Sequence, residues 1–238
     1  TYSGDSSTSD QTVTITIDGL SPSITGLSGS SGDETSSIYL KGGSDSVGTF
    51  SSDETVTWSI DGGADAELFN IEKNSGVLTF LSAPDASSPT DSDTNNEYLL
   101  NIKATDLVEN SSSQSVTVII DETAPLITGP QGSSAGDLTS TTSIDENTNA
   151  VVTFSANETV VWSKNGGSDS SKFNLDASTG ELAFINAPDF ENKLDSDTNN
   201  NYEIIVRATD SAGNTSDQTV TVTIDNVDDV LPSIQGAS

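Results

Sequence analysis

The 238-residue sequence contains no cysteine, no histidine and no methionine. Without thiol or imidazole groups it cannot form a disulfide, a Cys or Ser-His-Asp nucleophilic centre, an iron–sulfur cluster or an imidazole-bound zinc site. Basic residues are also few, with 7 Lys and Arg against 37 Asp and Glu, so the formal net charge is −30. Such an acidic chain repels phosphates and anionic lipid, and nucleic acid is therefore not an expected partner.

Long apolar runs are missing as well. No segment approaches the roughly 18–20 apolar residues that a membrane-spanning helix needs, so we expect no membrane insertion. Hydrophobic residues make up 32% and aromatic residues 5% of the chain. These low fractions are compatible with disorder, but the regular spacing of Trp, Phe, Tyr and β-branched residues favours a folded protein. With no initiator Met, the sequence is expected to be a piece of a longer chain.

The sequence that is present repeats itself. Trp58 and Trp162 are 104 positions apart, and the segment 91–96 (Asp-Ser-Asp-Thr-Asn-Asn) recurs at the same offset as 195–200. The segments 11–18, 114–121 and 218–225 also match one another. A fixed period of this length is typical of tandem domains. We therefore predict the last strand of a preceding repeat (1–18), repeat one (19–121), repeat two (122–225), and a linker with the start of a further repeat (226–238).

Within each repeat, apolar residues alternate with polar ones, as in Tyr98, Leu100, Ile102 and Ala104. A period of two predicts half-buried strands, and about seven short strands fit in each repeat. The predicted fold class is all-β, with tandem Greek-key, immunoglobulin-like sandwiches. Trp58, Trp162, Tyr98 and Tyr202 are then expected in the cores, and Gly76 and Gly180 are expected to supply positive φ angles in tight turns.

Several motifs of the second repeat resemble the cadherin-type repeat, in the form seen in large bacterial surface and secreted adhesins. They are the Phe-Asn-Leu-Asp and Thr-Gly-Glu-Leu stretch within 173–182, Asp189-Phe-Glu191, Ala208-Thr-Asp210, and the Asp-Asn-Val-Asp-Asp segment 225–229. The resemblance covers nearly the whole chain. It implies cadherin-like sandwiches and calcium bound at the junctions between successive repeats.

The chemistry of the residues agrees with that implication, because Ca²⁺ is a hard cation that takes six to eight oxygen ligands. By cadherin topology, the ligands gather where strands end and repeats meet. The resulting candidate calcium ligands are Asp18, Asp53, Glu54, Asp85, Asp91, Asp93, Asp106, Asp121, Glu122, Glu146, Asn157, Glu158, Asp189, Glu191, Asp195, Asp197, Asp210, Asp225, Asp228 and Asp229.

Repeat one departs from this pattern, because Gly42 and Ser87 stand where repeat two has Glu146 and Glu191. We expect Asp91 and Asp93 to replace part of the missing ligand set. Their Asp-x-Asp-x-Asn pattern also opens an EF-hand loop, but Ile102 occupies the position of the required twelfth-residue Glu. The simpler alternatives are an Asx-rich surface turn for this loop and solvated surface charge for the other carboxylates.

The leading functional hypothesis is a non-enzymatic, calcium-stiffened extender of an extracellular or cell-surface repeat protein, such as an adhesin, a surface layer or a filament. Its partners would be calcium ions, neighbouring repeats, and like subunits or surface ligands. A carbohydrate- or protein-binding module is the alternative, although aromatics outside core positions are few. A glycosidase with paired carboxylates is the remote alternative. Adaptation to high salt is a rival explanation for the acidity.

Overall fold

The computed structural model describes residues 11–13, 17–130 and 132–228 and is nearly all β. The first series of elements is β1 (Ile24–Thr25), β2 (Thr35–Leu40), β3 (Ser46–Thr49), β4 (Ser51–Ser52), β5 (Thr57–Ile60), the 3-10 helix η1 (Ala66–Leu68), β6 (Phe69–Ile71), β7 (Val77–Phe80), β8 (Glu97–Thr105) and β9 (Ser111–Ile120). The second series is β10 (Ile127–Thr128), β11 (Thr139–Asp145), β12 (Ala150–Thr153), β13 (Ser155–Ala156), β14 (Val161–Gly166), η2 (Ser170–Lys172), β15 (Phe173–Leu175), β16 (Glu181–Phe184), β17 (Asn201–Thr209) and β18 (Thr215–Asp225).

Each series builds one four-stranded sheet, one three-stranded sheet and a two-stranded pair. The strand orders are β2-β9-β8-β5, β3-β7-β6 and β1-β4 in the first series, and β11-β18-β17-β14, β12-β16-β15 and β10-β13 in the second. Strands far apart in sequence are neighbours, and β11 runs parallel to β18. This arrangement confirms the predicted all-β class of Greek-key, cadherin-like sandwiches.

The core of the second series is shared by its two larger sheets. Leu182 and Phe184 of one sheet pack with Ile204, Val206 and Val220 of the other, and all five are at most 4% exposed. The alternation along β17 places every second side chain inside, as a half-buried strand requires. The predicted core positions are confirmed, since the four residues in question, Trp58, Trp162, Tyr98 and Tyr202, are all buried.

Nine strand segments occur in each series, where the sequence predicted about seven. The difference arises partly because β3 and β4 are a single run interrupted at Phe50, whose N–H donates to Gly76 O at 2.9 Å. Gly76 and Gly180 have φ angles of 71° and 72°, as predicted. A Cβ at Gly76 would lie 2.6 Å from Phe50 O, so both the backbone angle and the close approach require glycine there.

The described chain falls into two compact units. The first comprises the described residues up to Ser37 together with Ser46–Ser82 and Tyr98–Thr117, and the second comprises Ile38–Asp45, Ala83–Glu97 and the described residues from Val118 onward. The repeat boundaries at 18, 121 and 225 remain predictions. Residues 1–10, 14–16 and 229–238, which include much of the predicted first strand and Asp229, lie outside the described residues. Among the described residues, neither 3-10 turn nor any other helix could cross a membrane.

Candidate metal centres

Three groups of carboxylates converge in the described residues. The Asp121 cluster contains Asp121, Glu158 and Asp210; the Asp18 cluster contains Asp18, Glu54 and Asp106; and the Glu146 cluster contains Glu146, Asp189 and Glu191. In each cluster, one carboxylate oxygen from every member lies within 4.8 Å of the others. The Asp18 cluster lies in the first unit, and the other two lie in the second.

The Asp121 cluster is assembled from the ends of three strands. Asp121 follows β9, Glu158 comes two residues after β13, and Asp210 follows β17. Asp210 is buried, and its Oδ1 accepts the backbone N–H of Asn214 at 2.8 Å. The amide Nδ2 of Asn214 donates to Asp210 Oδ2 at 2.9 Å. The turn that closes between β17 and β18 therefore fixes one carboxylate of the cluster.

Asn214 also links this turn to Asp121, the residue that follows β9. Its Nδ2 donates to Asp121 O at 2.9 Å, while its buried Oδ1 has no hydrogen-bond partner in the described structure. Asn214 is not among the functional residues predicted from the sequence. A signal was present, because Asn110 occupies the same position 104 residues earlier and donates in the same way to Asp106 Oδ2 at 2.8 Å.

The electrostatics of the Asp121 cluster disfavour three ionised carboxylates. Burial, followed by the charges of Asp210 and Asp121, raises the pKa of Glu158 above its ordinary value. The ion pairs found among the described residues are Lys103 with Asp61 and Arg207 with Asp217, and neither involves a cluster. A bound cation would remove the repulsion that the protein itself does not neutralise.

The Asp18 cluster repeats this arrangement in the first unit. Asp106 is buried, and its Oδ1 accepts the backbone N–H groups of Val108 and Asn110, both at 2.8 Å. Burial, followed by the charges of Asp18, Asp106 and the neighbouring Asp53, raises the pKa of Glu54. Both clusters thus combine a rigid, buried Asp with a Glu whose ionisation is disfavoured.

The Glu146 cluster depends on the parallel pairing of β11 with β18. This register aligns Asp145 with Asp225, so Glu146 comes next to the segment that leaves the domain, and its N–H donates to Asp225 O at 3.0 Å. Glu146 is 3% exposed. Its two carboxylate oxygens accept the N–H groups of Phe190 and Val227, each at 2.9 Å. A buried carboxylate therefore ties together the end of β11, the 189–191 loop and the outgoing segment.

Several other residues predicted to be calcium ligands lie outside the three clusters. Asp53 Oδ1 accepts Ser23 N at 2.7 Å, and Asn157 Oδ1 accepts Leu126 N at 2.6 Å, so these two side chains hold loops in place. Asp85 is exposed, and the hydroxyl and N–H of Ser87 lower its pKa. The other exposed candidates outside the clusters are Glu122, Asp225 and Asp228.

The four aspartates of the repeated loop, namely Asp91, Asp93, Asp195 and Asp197, also lie outside the three clusters. Asp91 and Asp195 are buried at 3% and 5% exposure, whereas their partners two residues later are exposed. Replacement of the ligands missing at Gly42 and Ser87 by Asp91 and Asp93 therefore remains a prediction.

Comparison with known proteins identifies structural similarity alone. Neither a family profile nor a curated protein matches the sequence. Among solved structures, Drosophila N-cadherin EC1–3 is 17% identical with a TM-score of 0.35, covering 81% of this chain and 64% of that one. Mouse cadherin-23 EC22–24 is 16% identical with a TM-score of 0.34, covering 87% and 65%. Human CDH23 EC21–23 is 14% identical with a TM-score of 0.37, covering 88% and 71%. The chain spans less than two thirds of the first two structures.

Proposed function

We propose that this protein is a calcium-binding structural segment of an extracellular or cell-surface repeat protein, in which calcium stiffens the connections between modules. The observation that carries the proposal is the convergence of three carboxylates at each of three places where strands end. Fixed charges gathered in this way disfavour the folded state unless a cation binds to them.

The donor set of the Asp121 cluster fits calcium. All its ligand atoms are oxygens, which hard cations prefer, and soft sulfur and imidazole ligands do not occur in the sequence. Asp121, Glu158 and Asp210 would hold the ion, and Asn214 Nδ2 fixes two of these residues by donating to Asp121 O and Asp210 Oδ2. Asp18, Glu54 and Asp106 would hold an ion in the first unit, and Glu146, Asp189 and Glu191 would hold another in the second.

The positions of these ligands in the sequence support a mechanical role. Asp121 ends predicted repeat one, whereas Glu158 and Asp210 belong to predicted repeat two. An ion held by all three would restrain the segment that joins the repeats, because each ligand bond limits its rotation. Repetition of such restraints along an array would produce a stiff extender whose length is its function. Such an extender would suit an adhesin, a surface layer or a filament of like subunits.

A calcium titration followed by thermal unfolding tests the proposal. At constant ionic strength, the melting temperature should rise steeply with millimolar Ca²⁺, since a site at 100 times its Kd contributes about 2.7 kcal/mol. Chelation should reverse the rise, and equal concentrations of Na⁺ or K⁺ should not reproduce it. A melting temperature that follows total salt without preference for Ca²⁺ would instead support adaptation to high salt and contradict the proposal.

A further inference from the structure

The two Asp-Ser-Asp-Thr-Asn-Asn loops, residues 91–96 and 195–200, have the same internal structure. In the second loop, Asn199 joins the two carboxylates, because its N–H donates to Asp195 Oδ2 at 2.6 Å and its Nδ2 donates to Asp197 Oδ2 at 2.7 Å. The first loop repeats both bonds, with Asn95 N donating to Asp91 Oδ2 at 2.7 Å and Asn95 Nδ2 donating to Asp93 Oδ2 at 3.0 Å. Each loop therefore holds one buried and one exposed carboxylate side by side.

Buried oxygens in these loops lack hydrogen-bond partners. Asp195 Oδ1 and Asn200 Oδ1 have none in the described structure, although their residues are only 5% and 3% exposed. The corresponding Asn96 Oδ1 in the first loop is likewise buried without a partner. Such atoms are rare in native proteins, because an acceptor removed from water without a donor destabilises the fold. The orphaned amide oxygen recurs in both loops and points to a ligand rather than to a local irregularity, whereas Asp91 Oδ1 in the first loop accepts Asn96 N at 3.3 Å.

The identity of the orphaned amide atom is fixed by its other contact. Asn200 Nδ2 donates to Phe190 O at 3.0 Å, and Asn96 Nδ2 donates to Ala86 O at 3.0 Å. Rotating either amide by half a turn would bring its oxygen against a carbonyl oxygen, so the orientation is determined. What each loop presents is therefore a set of acceptors, namely two adjacent carboxylates and an amide oxygen.

No positive side chain of the described residues forms an ion pair with these acceptors. The ion pairs of the described residues lie elsewhere, and the nearest cation in the sequence, Lys193, has its Nζ 5.7 Å from the centre of the Phe190 ring. The two carboxylates of each loop and the orphaned oxygens beside them in the chain therefore have no cationic side chain to pair with among the described residues.

We propose that each loop is a separate cation site that takes Ca²⁺, ligated by Asp195, Asp197 and Asn200 Oδ1 in the second loop and by Asp91, Asp93 and Asn96 Oδ1 in the first. These sites are additional to the three clusters and share no residue with them. Because calcium takes six to eight oxygens, water completes the coordination. An affinity in the range of extracellular modules, with Kd about 10⁻⁴–10⁻³ M, is therefore expected.

Equilibrium dialysis of the full chain against Ca²⁺ tests the proposal by counting bound ions. The double variant Asp93→Asn/Asp197→Asn removes only the exposed carboxylates and leaves the buried, loop-holding aspartates in place. It should bind two ions fewer than the unchanged protein in the millimolar range. The matched control Asp45→Asn/Glu181→Gln removes the same charge from exposed residues outside all sites and should bind the unchanged number.

Near-ultraviolet circular dichroism of both variants verifies that the loops remain folded. Unchanged calcium stoichiometry in a folded Asp93→Asn/Asp197→Asn protein would overturn the loop sites and leave the clusters unaffected. Loss of the same number of ions in the control would also overturn them, because it would show diffuse binding to surface charge. If the clusters do not bind calcium, the result is different: the only ions bound by the unchanged protein are those that the loop variant loses.

Discussion

The ends of strands β2 and β11 occupy equivalent positions in the two halves of the chain, but their chemistry differs. Glu146 follows β11 and belongs to a cluster of three carboxylates, whereas Gly42 stands at the corresponding position after β2. A Cβ at Gly42 would overlap Glu122 Oε1, so the linker carboxylate fills the space that a side chain would take. The difference at this one position thus changes both the packing and the number of carboxylates at a domain end.

The comparison also separates two roles of one carboxylate. Glu146 has a structural role, because its carboxylate accepts two backbone N–H groups. It also has a proposed role as a calcium ligand, because it lies next to Asp189 and Glu191. Glu122 is exposed and has neither set of neighbours among the described residues. We therefore expect the outgoing end of the second half to be more stable and to bind calcium more tightly than that of the first.

The largest effect is expected when the end of β11 is made like the end of β2. Glu146→Gly removes the acceptor of Phe190 N and Val227 N, and it should lower the free energy of unfolding by about 2–3 kcal/mol even in chelator. The matched variant Glu191→Gln alters only an exposed member of the cluster. It should weaken calcium binding without lowering stability in chelator, as measured by urea unfolding and calorimetric titration. Equal stability of the two variants would contradict the structural role of Glu146.

A smaller effect is expected when the end of β2 is made like the end of β11. The triple variant Gly42→Glu/Ser87→Glu/Glu122→Asn reproduces the residues at 146, 191 and 226, with Asp85 already in the place of Asp189. It should bind one additional calcium ion per chain in a dialysis measurement. Gly42→Glu alone should instead lower the melting temperature, because it places a Cβ 3.2 Å from Pro84 O and a second carboxylate beside that of Glu122. An unchanged ion count in the triple variant would show that these positions do not determine the site.

The fold could be predicted from the sequence because its determinants are periodic. Alternation along 98–104 specifies which side chains face the core, and the 104-residue offset transfers each assignment to the other half. Even so, the interruption at Phe50 was missed, since it depends on a hydrogen bond to the distant Gly76 O. Such contacts leave no periodic signal.

The candidate site could be predicted only in part. Asp53 and Glu54 are adjacent in sequence, but Asp53 holds the loop at Ser23, whereas Glu54 joins a cluster. The two residues lie in the bend that follows β4, and composition does not reveal which side chain such a bend turns towards a cluster. Asn214 was overlooked for a related reason, because its role depends on the closure of the 210–214 turn.

Glu158→Gln tests most directly whether the carboxylate clusters are metal sites rather than solvated surface charge. Since the fold raises the pKa of Glu158, ionisation of this residue destabilises the metal-free protein, and the variant should melt at a higher temperature than the unchanged protein in chelator. In saturating calcium, the same variant lacks a ligand and should melt at a lower temperature. The control Glu181→Gln, at an exposed position outside the clusters, should show little change in either condition. A Glu158→Gln effect of the same sign in chelator and in calcium would contradict the account.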